Sequence, residues 1–235
     1  MKVLNFLAEE CGLSQGSAIA GIGSGTGIFT ALLLKRGCKV YAVEANKPMQ
    51  AAAVHRFDGN ENFIPVNANA ETTTLPDQSI ELIVCAQAFH WFNNNKTHAE
   101  FKRMLKDGEY TALIWNNRQA DADAFSMAYE NLLKTDTPEY NEVNHRNISE
   151  KDLESFFRNG EFKTADYRNN QVFDEGGLMG RAMFIPDEQK LKDFKTLIEP
   201  YFKKIKSNQT QIQSHTKMRD TLLPKLMSGA VRVKI

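Results

Sequence analysis

Short apolar runs alternate with segments of helical period over the first 115 residues. Runs of this length bounded by turn residues predict buried strands, and the segments between them predict crossover helices near 26–35, 48–55 and 96–105. This order is typical of an α/β protein with a doubly wound, Rossmann-like parallel sheet. The predicted strands are Ser17–Ile22, Lys39–Val43, Asn62–Val66, Ser79–Ala86 and Tyr110–Trp115.

The middle of the chain predicts two helices and a strand. One helix spans Ala122–Lys134, and the other spans Ser149–Asn159 and opens with Ser149 and Asp152 at the spacing of a capping box, with Asp in place of Glu. Alternation over Glu161–Phe173 predicts a sixth strand. The sequence offers no candidate for a seventh strand.

The C-terminal segment has the pattern of a long amphipathic helix. No glycine occurs between Asp187 and Met227, and Pro200 predicts a kink or a break within the helix. Apolar residues recur in steps of three and four, which is typical of a coiled-coil seam. An apolar seam of this length has to be buried against another surface. We therefore expect it to fold onto the open sheet edge or to pair with a second copy as a homodimer. The seam residues are Leu191, Phe194, Ile198, Tyr201, Ile205 and Ile212.

Composition narrows the class of protein. The chain is 42% hydrophobic and 25% charged, as globular proteins are, and its apolar runs are far shorter than the roughly 20 residues of a membrane span. The first residues lack the pattern of a secretory signal, so we expect a cytoplasmic protein. Cys11, Cys38 and Cys85 are widely spaced, which disfavours a disulfide framework and a zinc site and predicts small buried side chains.

Charge divides the chain into two parts. Residues 185–235 hold 11 basic and 5 acidic residues, a net charge of +6, and the rest carries −6. We therefore predict one domain over 1–184 and a helical tail over 185–235.

The string Gly21-Ile22-Gly23-Ser24-Gly25-Thr26-Gly27 follows the first predicted strand. Glycines at this place let the backbone turn tightly and let a ligand approach backbone N–H groups. Thr26 stands where a dinucleotide fingerprint needs its third glycine, and no Gly-Lys-Ser/Thr follows, so NAD binding is disfavoured and a P-loop is excluded. A tight strand-to-helix turn without a ligand is the simpler alternative.

Three further motifs follow in order: Glu44-Ala45 at the end of the second strand, Asn69-Ala70-Glu71 with Leu75-Pro76-Asp77, and the string from Gln87 to Trp91. With the glycine loop they resemble class I S-adenosylmethionine-dependent methyltransferases, the methyltransferase type 11 group, over about residues 1–183, with Gly180-Arg181-Ala182 near the end. The resemblance implies S-adenosylmethionine as cofactor, its ribose held by Glu44. The implied binding residues are Gly21, Gly23, Ser24, Gly25, Glu44, Ala45, Asn69, Ala70, Glu71 and Gln87.

This sequence departs from the family at Gly21, where relatives usually have Asp or Glu, and relatives carry a longer N-terminal segment and a seventh strand. The resemblance therefore implies a domain truncated at both ends.

His90 is the only histidine at the end of a predicted strand, so it is the candidate base, and Trp91 is the candidate wall of the acceptor pocket. The alternative is that both side chains are structural. His55, His98, His145 and His215 are expected at the surface.

A small-molecule acceptor is favoured over nucleic acid. DNA amino-methylases usually carry Asn or Asp, two prolines and an aromatic residue where this chain reads Gln87-Ala88-Phe89-His90, and the body is acidic.

The tail from about Ile185 resembles the C-terminal end of type I restriction-modification specificity subunits, most clearly over 219–229. That family implies docking to modification subunits. Three functions stay open: a small-molecule methyltransferase, an interaction module, and a fusion product without activity.

Overall fold

The computed structural model describes residues 2–117, 119–122, 124–136, 145–169, 174, 176–177 and 188–228. The strands are β1 (Ala18–Ile22), β2 (Lys39–Val43), β3 (Phe63–Val66), β4 (Ile80–Ala86) and β5 (Leu105–Ile114). They form one parallel sheet in the order β3-β2-β1-β4-β5. The predicted doubly wound, Rossmann-like sheet is confirmed.

The central strands are buried on both faces because helices cover each side. Along β1, Ile19 packs on one face with Leu4 and Leu33, whereas Ala20 packs on the other face with Phe101 and Met104. Neighbouring residues of β4 divide in the same way, which explains its continuous apolar run. The helices are α1 (Lys2–Cys11), α2 (Thr30–Lys35), α3 (Lys47–Arg56), α4 (Asn95–Met104), α5 (Ala124–Asp136), α6 (Glu150–Phe156) and α7 (Glu188–Met227).

Two elements at the start of the chain differ from the sequence predictions. The helix α1 was not predicted, although Leu4 and Leu7 bury its apolar side against the sheet. The helix α2 begins at Thr30 instead of Thr26, because the turn that precedes it extends the glycine loop. The later start of α2 lengthens the segment between β1 and this helix.

The fifth strand begins earlier than predicted. Leu105 pairs with Ile80 and Tyr110 with Leu82, so the residues around Gly108 form a bulge within the strand. The predicted turn at Asp107-Gly108 is therefore wrong. The sixth strand is also wrong over 161–169, which has no strand structure, and 170–173 lie outside the described residues. The predicted capping box at Ser149 and Asp152 is confirmed.

The chain divides into two compact units: residues 1–122 with 139–169, and residues 123–138 with 170–235. The first unit contains the sheet. In the second, Tyr129 of α5 and Phe194 of α7 are both buried, and their ring centroids lie 5.9 Å apart. The predicted boundary between 184 and 185 stays a prediction, and Gly180-Arg181-Ala182 lies outside the described residues.

The helix α7 continues through Pro200, so no break occurs there. Within the predicted seam, Ile198 is 1% exposed, whereas Ile205 is 49% exposed. Tyr129 of α5 lies against Phe194 of the seam, a partner that the sequence did not predict, and the side chain of Leu191 lies outside the described part of the chain. From Tyr201 onward the seam residues are exposed in the chain.

The cysteines follow the sequence prediction: Cys38 and Cys85 are buried and Cys11 is half-buried. Burial raises the pKa of all three thiols. Across the part of the chain that the structure describes, no helix combines the length and apolarity needed to span a bilayer.

Candidate functional site

The sheet order brings three loops together at the carboxyl edge. The strand β1 lies between β2 and β4, so the segments after Ile22, Val43 and Ala86 leave the sheet side by side. The chain turns to opposite sides of β1 here, and open α/β sheets bind ligands at such a switch point.

The glycine loop after β1 depends on left-handed backbone at Gly23 and Gly25, whose φ angles are +63° and +56°. A Cβ at Gly23 would lie 2.6 Å from the Ala88 Cβ, so only glycine lets this loop sit against the segment after β4. A Cβ at Gly25 would meet no atom within 4 Å. Open space therefore lies next to the backbone at Gly25.

Glu44 ties the second strand to the glycine loop. Its Oε2 accepts a hydrogen bond of 2.8 Å from the Gly25 backbone N–H, and its Oε1 accepts one of 2.8 Å from that of Asn46. The carboxylate is half-buried and each oxygen retains a second lone pair. The resemblance assigns these oxygens to a ribose, which stays a prediction, and the structure shows that they fix the loop.

Two of the predicted loop residues have different surroundings. Gly21 lies within β1, buried and paired with Ala42 and Val84, so it belongs to the strand and not to the turn. A Cβ there would meet only ordinary contacts, the nearest at 3.9 Å. The Ser24 hydroxyl is buried and has no hydrogen-bond partner among the described residues. Ala45 is exposed.

The loop after β3 is held in place by a buried carboxylate. Glu100 accepts hydrogen bonds from the backbone N–H and hydroxyl of Thr73 and from Arg103. The Arg103 guanidinium and then the Thr73 donors lower the pKa of Glu100 to about 2. Arg103 also pairs with Asp77, so the Leu75-Pro76-Asp77 motif anchors this loop.

The predicted binding residues Asn69, Ala70 and Glu71 differ in their surroundings. Asn69 is exposed and pairs with Thr72 in a short bridge, and Ala70 is buried in the core. Glu71 is half-buried and accepts a hydrogen bond of 3.0 Å from the Asn94 side chain. Ala70 can therefore contribute through its backbone only.

The segment after β4 places His90 and Trp91 on a 3₁₀ turn, Phe89–Trp91. Gln87 precedes it, exposed and in left-handed backbone at φ +59°, a strained conformation for a residue with a side chain. His90 is half-buried, and burial followed by the charge of His145 lowers its pKa. Trp91 is 63% exposed with its ring centroid 5.4 Å from that of His90.

The sequence reasoning missed two residues, His145 and Trp115, whose ring centroids lie 6.5 Å apart. His145 was expected at the surface, but it is half-buried with its ring centroid 6.1 Å from that of His90. Trp115 directly follows β5, and its Nε1 is buried without a hydrogen-bond partner in the described part of the chain. The position of Trp115 at the end of a predicted strand could have indicated a site residue. Nothing in the sequence around His145 indicated one.

His98 was also expected at the surface, and that prediction is wrong. It stacks on Phe89 and lies edge-on to Phe156. His55 and His215 are exposed as predicted.

This sheet order, with a glycine loop fixed by a carboxylate from the next strand, defines a class of α/β proteins that bind small ligands at the carboxyl edge. Residues 20–113 match a family described as a methyltransferase domain. An uncharacterized methyltransferase of Bacillus licheniformis is 30% identical over 162 residues, covering 66% of this chain and 74% of that protein. The chain therefore belongs to the methyltransferase family.

An uncharacterized methyltransferase-like protein of Schizosaccharomyces pombe is 31% identical over 117 residues, 49% of this chain and 44% of that protein. The chain thus spans less than half the length of this relative. A solved structure from Anabaena variabilis, assigned to methyl transfer in an antibiotic biosynthesis pathway, is 26% identical with a TM-score of 0.52, covering 66% of this chain and 58% of that one.

The tail has a different relative. A type I restriction enzyme specificity subunit of Methanocaldococcus jannaschii is 46% identical over 57 residues, which are 24% of this chain and 13% of that protein. This match involves the tail, as the sequence resemblance predicted.

Proposed function

We propose that this methyltransferase binds S-adenosylmethionine at the carboxyl edge of its sheet and transfers a methyl group to a small molecule in the cytoplasm. The observation that carries the proposal is the hydrogen bond from the Gly25 backbone to the Glu44 carboxylate. This hydrogen bond holds the glycine loop beside the Glu44 carboxylate, where the ribose and the adjoining amino-acid part of the cofactor would lie.

The residues at this edge fit such a group. Open space lies over Gly25, and the unpaired Ser24 hydroxyl offers a hydrogen bond that the described residues do not use. Each oxygen of Glu44 can accept one further hydrogen bond, which suits the two hydroxyls of a ribose. Gly21 leaves the place of the family's acidic residue without a carboxylate, so the cofactor's amino group loses that partner.

S-adenosylmethionine supplies, when bound, an electrophilic methyl group on sulfur. The chain has to hold donor and acceptor in line and exclude water, which needs no covalent nucleophile. His90 is suited to accept a proton from the acceptor because its lowered pKa leaves the imidazole neutral at pH 7. Trp91 stands beside it as a wall of the acceptor pocket.

The experiment that tests the proposal is calorimetric titration of the full chain with S-adenosylhomocysteine and, in parallel, with NAD⁺. The product analogue tests the site without knowledge of the acceptor. We expect saturable binding of S-adenosylhomocysteine with one site per chain and no binding of NAD⁺. Binding of NAD⁺ alone would show that the loop holds a dinucleotide, and binding of neither would support a fold without activity.

A second function, docking to the modification subunits of a type I restriction system, is favoured by one observation. Apolar residues of α7 such as Ile205 and Ile212 are exposed in the segment that resembles a specificity subunit. Purified modification subunits should bind the full chain and bind Ile205→Lys/Ile212→Lys at least tenfold more weakly (~1.4 kcal/mol). Equal binding of both chains would remove this surface from the contact.

A further inference from the structure

Two polar atoms in the segments that leave the carboxyl edge of the sheet are buried and unpaired. His90 Nδ1 and Trp115 Nε1 come from the segments after β4 and β5, and neither has a hydrogen-bond partner among the described residues. The His145 ring links the two side chains: its centroid is 6.1 Å from that of His90 and 6.5 Å from that of Trp115. Buried polar atoms without partners are rare and costly, so two at one edge indicate a ligand.

The atom types restrict the ligand. An indole Nε1–H is a donor only, so the group facing Trp115 has to offer a lone pair. An ammonium group has none and is excluded. A hydroxyl oxygen and a carboxylate oxygen both satisfy Trp115.

His90 distinguishes between those two oxygens. Burial and the neighbouring His145 both disfavour the charged imidazole. With its hydrogen on Nε2, the neutral ring presents a lone pair at Nδ1 that a hydroxyl hydrogen satisfies and a carboxylate repels. With its hydrogen on Nδ1, the ring donates to the oxygen of a hydroxyl, so a hydroxyl suits both tautomers. A hydroxyl group is therefore the polar group that suits both atom types.

His145 is held in a defined orientation beside this pair. The Oδ1 of Asn117 accepts a hydrogen bond from Arg146 Nε, which is a donor only, so this atom is the amide oxygen. The His145 Nε2 lies 3.2 Å from the same oxygen and therefore donates to it. The ring is nearly parallel to the indole of Trp115, at 17°, and forms a fixed flat wall.

We propose that His90 and Trp115, walled by His145, form the binding site for a hydroxyl compound as methyl acceptor. This inference rests on the proposed function. Trp115 Nε1 donates to the hydroxyl oxygen and His90 Nδ1 accepts its hydrogen. During transfer the O–H bond breaks and its proton passes to His90, the oxygen bonds the methyl carbon, and the methyl–sulfur bond breaks with its electron pair left on sulfur.

The test uses the two tryptophans of the chain, Trp91 and Trp115, as probes. In ¹⁵N-labelled full chain each gives one indole N–H signal, and Trp91→Phe assigns them. Benzyl alcohol, benzylammonium and benzoate share a ring and differ in the polar group, and each is titrated into the chain with S-adenosylhomocysteine present and absent. The variant Trp115→Phe keeps an aromatic ring but loses the indole N–H. It is titrated with the same compounds, and binding is followed by the NMR signal of the His90 imidazole.

Benzyl alcohol should shift the Trp115 signal saturably, and both charged probes should bind at least tenfold more weakly (~1.4 kcal/mol). Trp115→Phe should lose about tenfold in affinity for the alcohol and keep its affinity for S-adenosylhomocysteine. A Trp115 signal unmoved by the alcohol in a chain that binds S-adenosylhomocysteine would overturn this inference alone, as would equal shifts by benzoate. A Trp115 shift without any S-adenosylhomocysteine binding would overturn the proposed function and leave a hydroxyl site.

Discussion

At the scale of single residues, the site depends on a few side chains that hold loops and a few that face a ligand. Glu100 belongs to the first kind, because its oxygens take hydrogen bonds from Thr73 and Arg103 within the core. His90 belongs to the second, because its Nδ1 has no partner among the described residues. Variants of the two kinds should therefore separate stability from function.

Glu100→Gln should lower the free energy of unfolding by about 2 to 3 kcal/mol at pH 7, because the charged partner of Arg103 is lost. The folded pKa of Glu100, about 2, lies below its ordinary value of 4.5, so the unfolded chain binds more protons between these values. This stabilisation is present above pH 4.5 and lost as the pH falls through 2.

Urea unfolding at several pH values measures both effects. Asp77→Asn serves as control, since that exposed carboxylate pairs with the same Arg103 and should contribute under about 1 kcal/mol. An equal loss in both variants would show that burial of Glu100 does not matter.

His90→Ala should leave the affinity for S-adenosylhomocysteine within about threefold (~0.7 kcal/mol) and reduce methyl transfer to any hydroxyl acceptor found in a screen. The reason is that the His90 ring contacts Trp91 and His145 and takes no part in the hydrogen bonds that join Glu44 to the glycine loop. Calorimetry and transfer of a labelled methyl group measure the two effects. A large loss of cofactor affinity with unchanged transfer per bound complex would contradict the assignment.

Gly23→Ala should destabilise the chain more than Gly25→Ala. Both residues have left-handed backbone, which costs about 1 to 2 kcal/mol with a side chain. Only at Gly23 does the added Cβ meet an atom, Ala88 Cβ at 2.6 Å, and overpacking adds about 1 to 3 kcal/mol. Equal urea midpoints for the two variants would mean that the loop after β4 moves aside freely.

At the scale of secondary-structure elements, the predicted bounds were most accurate for strands that are buried on both faces. The strands β1, β2 and β4 have continuous apolar runs because both faces are covered, and their predicted bounds differ from the structure by at most one residue. The start of β5 is polar, Lys106 to Glu109, so it was predicted as a turn although it pairs with β4 through a bulge. Local sequence could not show that pairing.

The same limit applies to the site. Glu44 and the glycine loop were found because each follows a predicted strand and together they resemble a known family, and the strand order places both at one edge. His145 was missed because a tertiary contact from a 3₁₀ turn, His145–Asn147, brings it to His90. The helix does not break at Pro200, because one lost backbone hydrogen bond is a small part of the stability of a 40-residue helix.

At the scale of the whole molecule, the apolar residues Phe194 and Ile198 of α7 are buried, whereas those from Tyr201 onward are exposed. Removing residues 187–235 should expose Tyr129 and lower solubility, because Phe194 lies against it. Removing only residues 207–235 keeps Phe194 and Ile198 and should leave the melting temperature within about 2 °C. The full chain should be partly dimeric through the exposed apolar row of α7.

Sedimentation and thermal melting of all three chains measure these effects. A full chain that stays monomeric at high concentration, with the longer deletion equally soluble and stable, would show that the tail has no structural role.

The most direct test of the central claim compares Glu44→Ala with Glu61→Ala by calorimetric titration with S-adenosylhomocysteine. Glu61 is an exposed glutamate just before β3, at the opposite edge of the sheet, so its loss should leave the affinity unchanged. Glu44→Ala should weaken binding roughly a hundredfold, because a charged acceptor of two hydrogen bonds is removed. Equal affinities of the two variants, with both chains folded by thermal melting, would contradict the placement of S-adenosylmethionine at this edge.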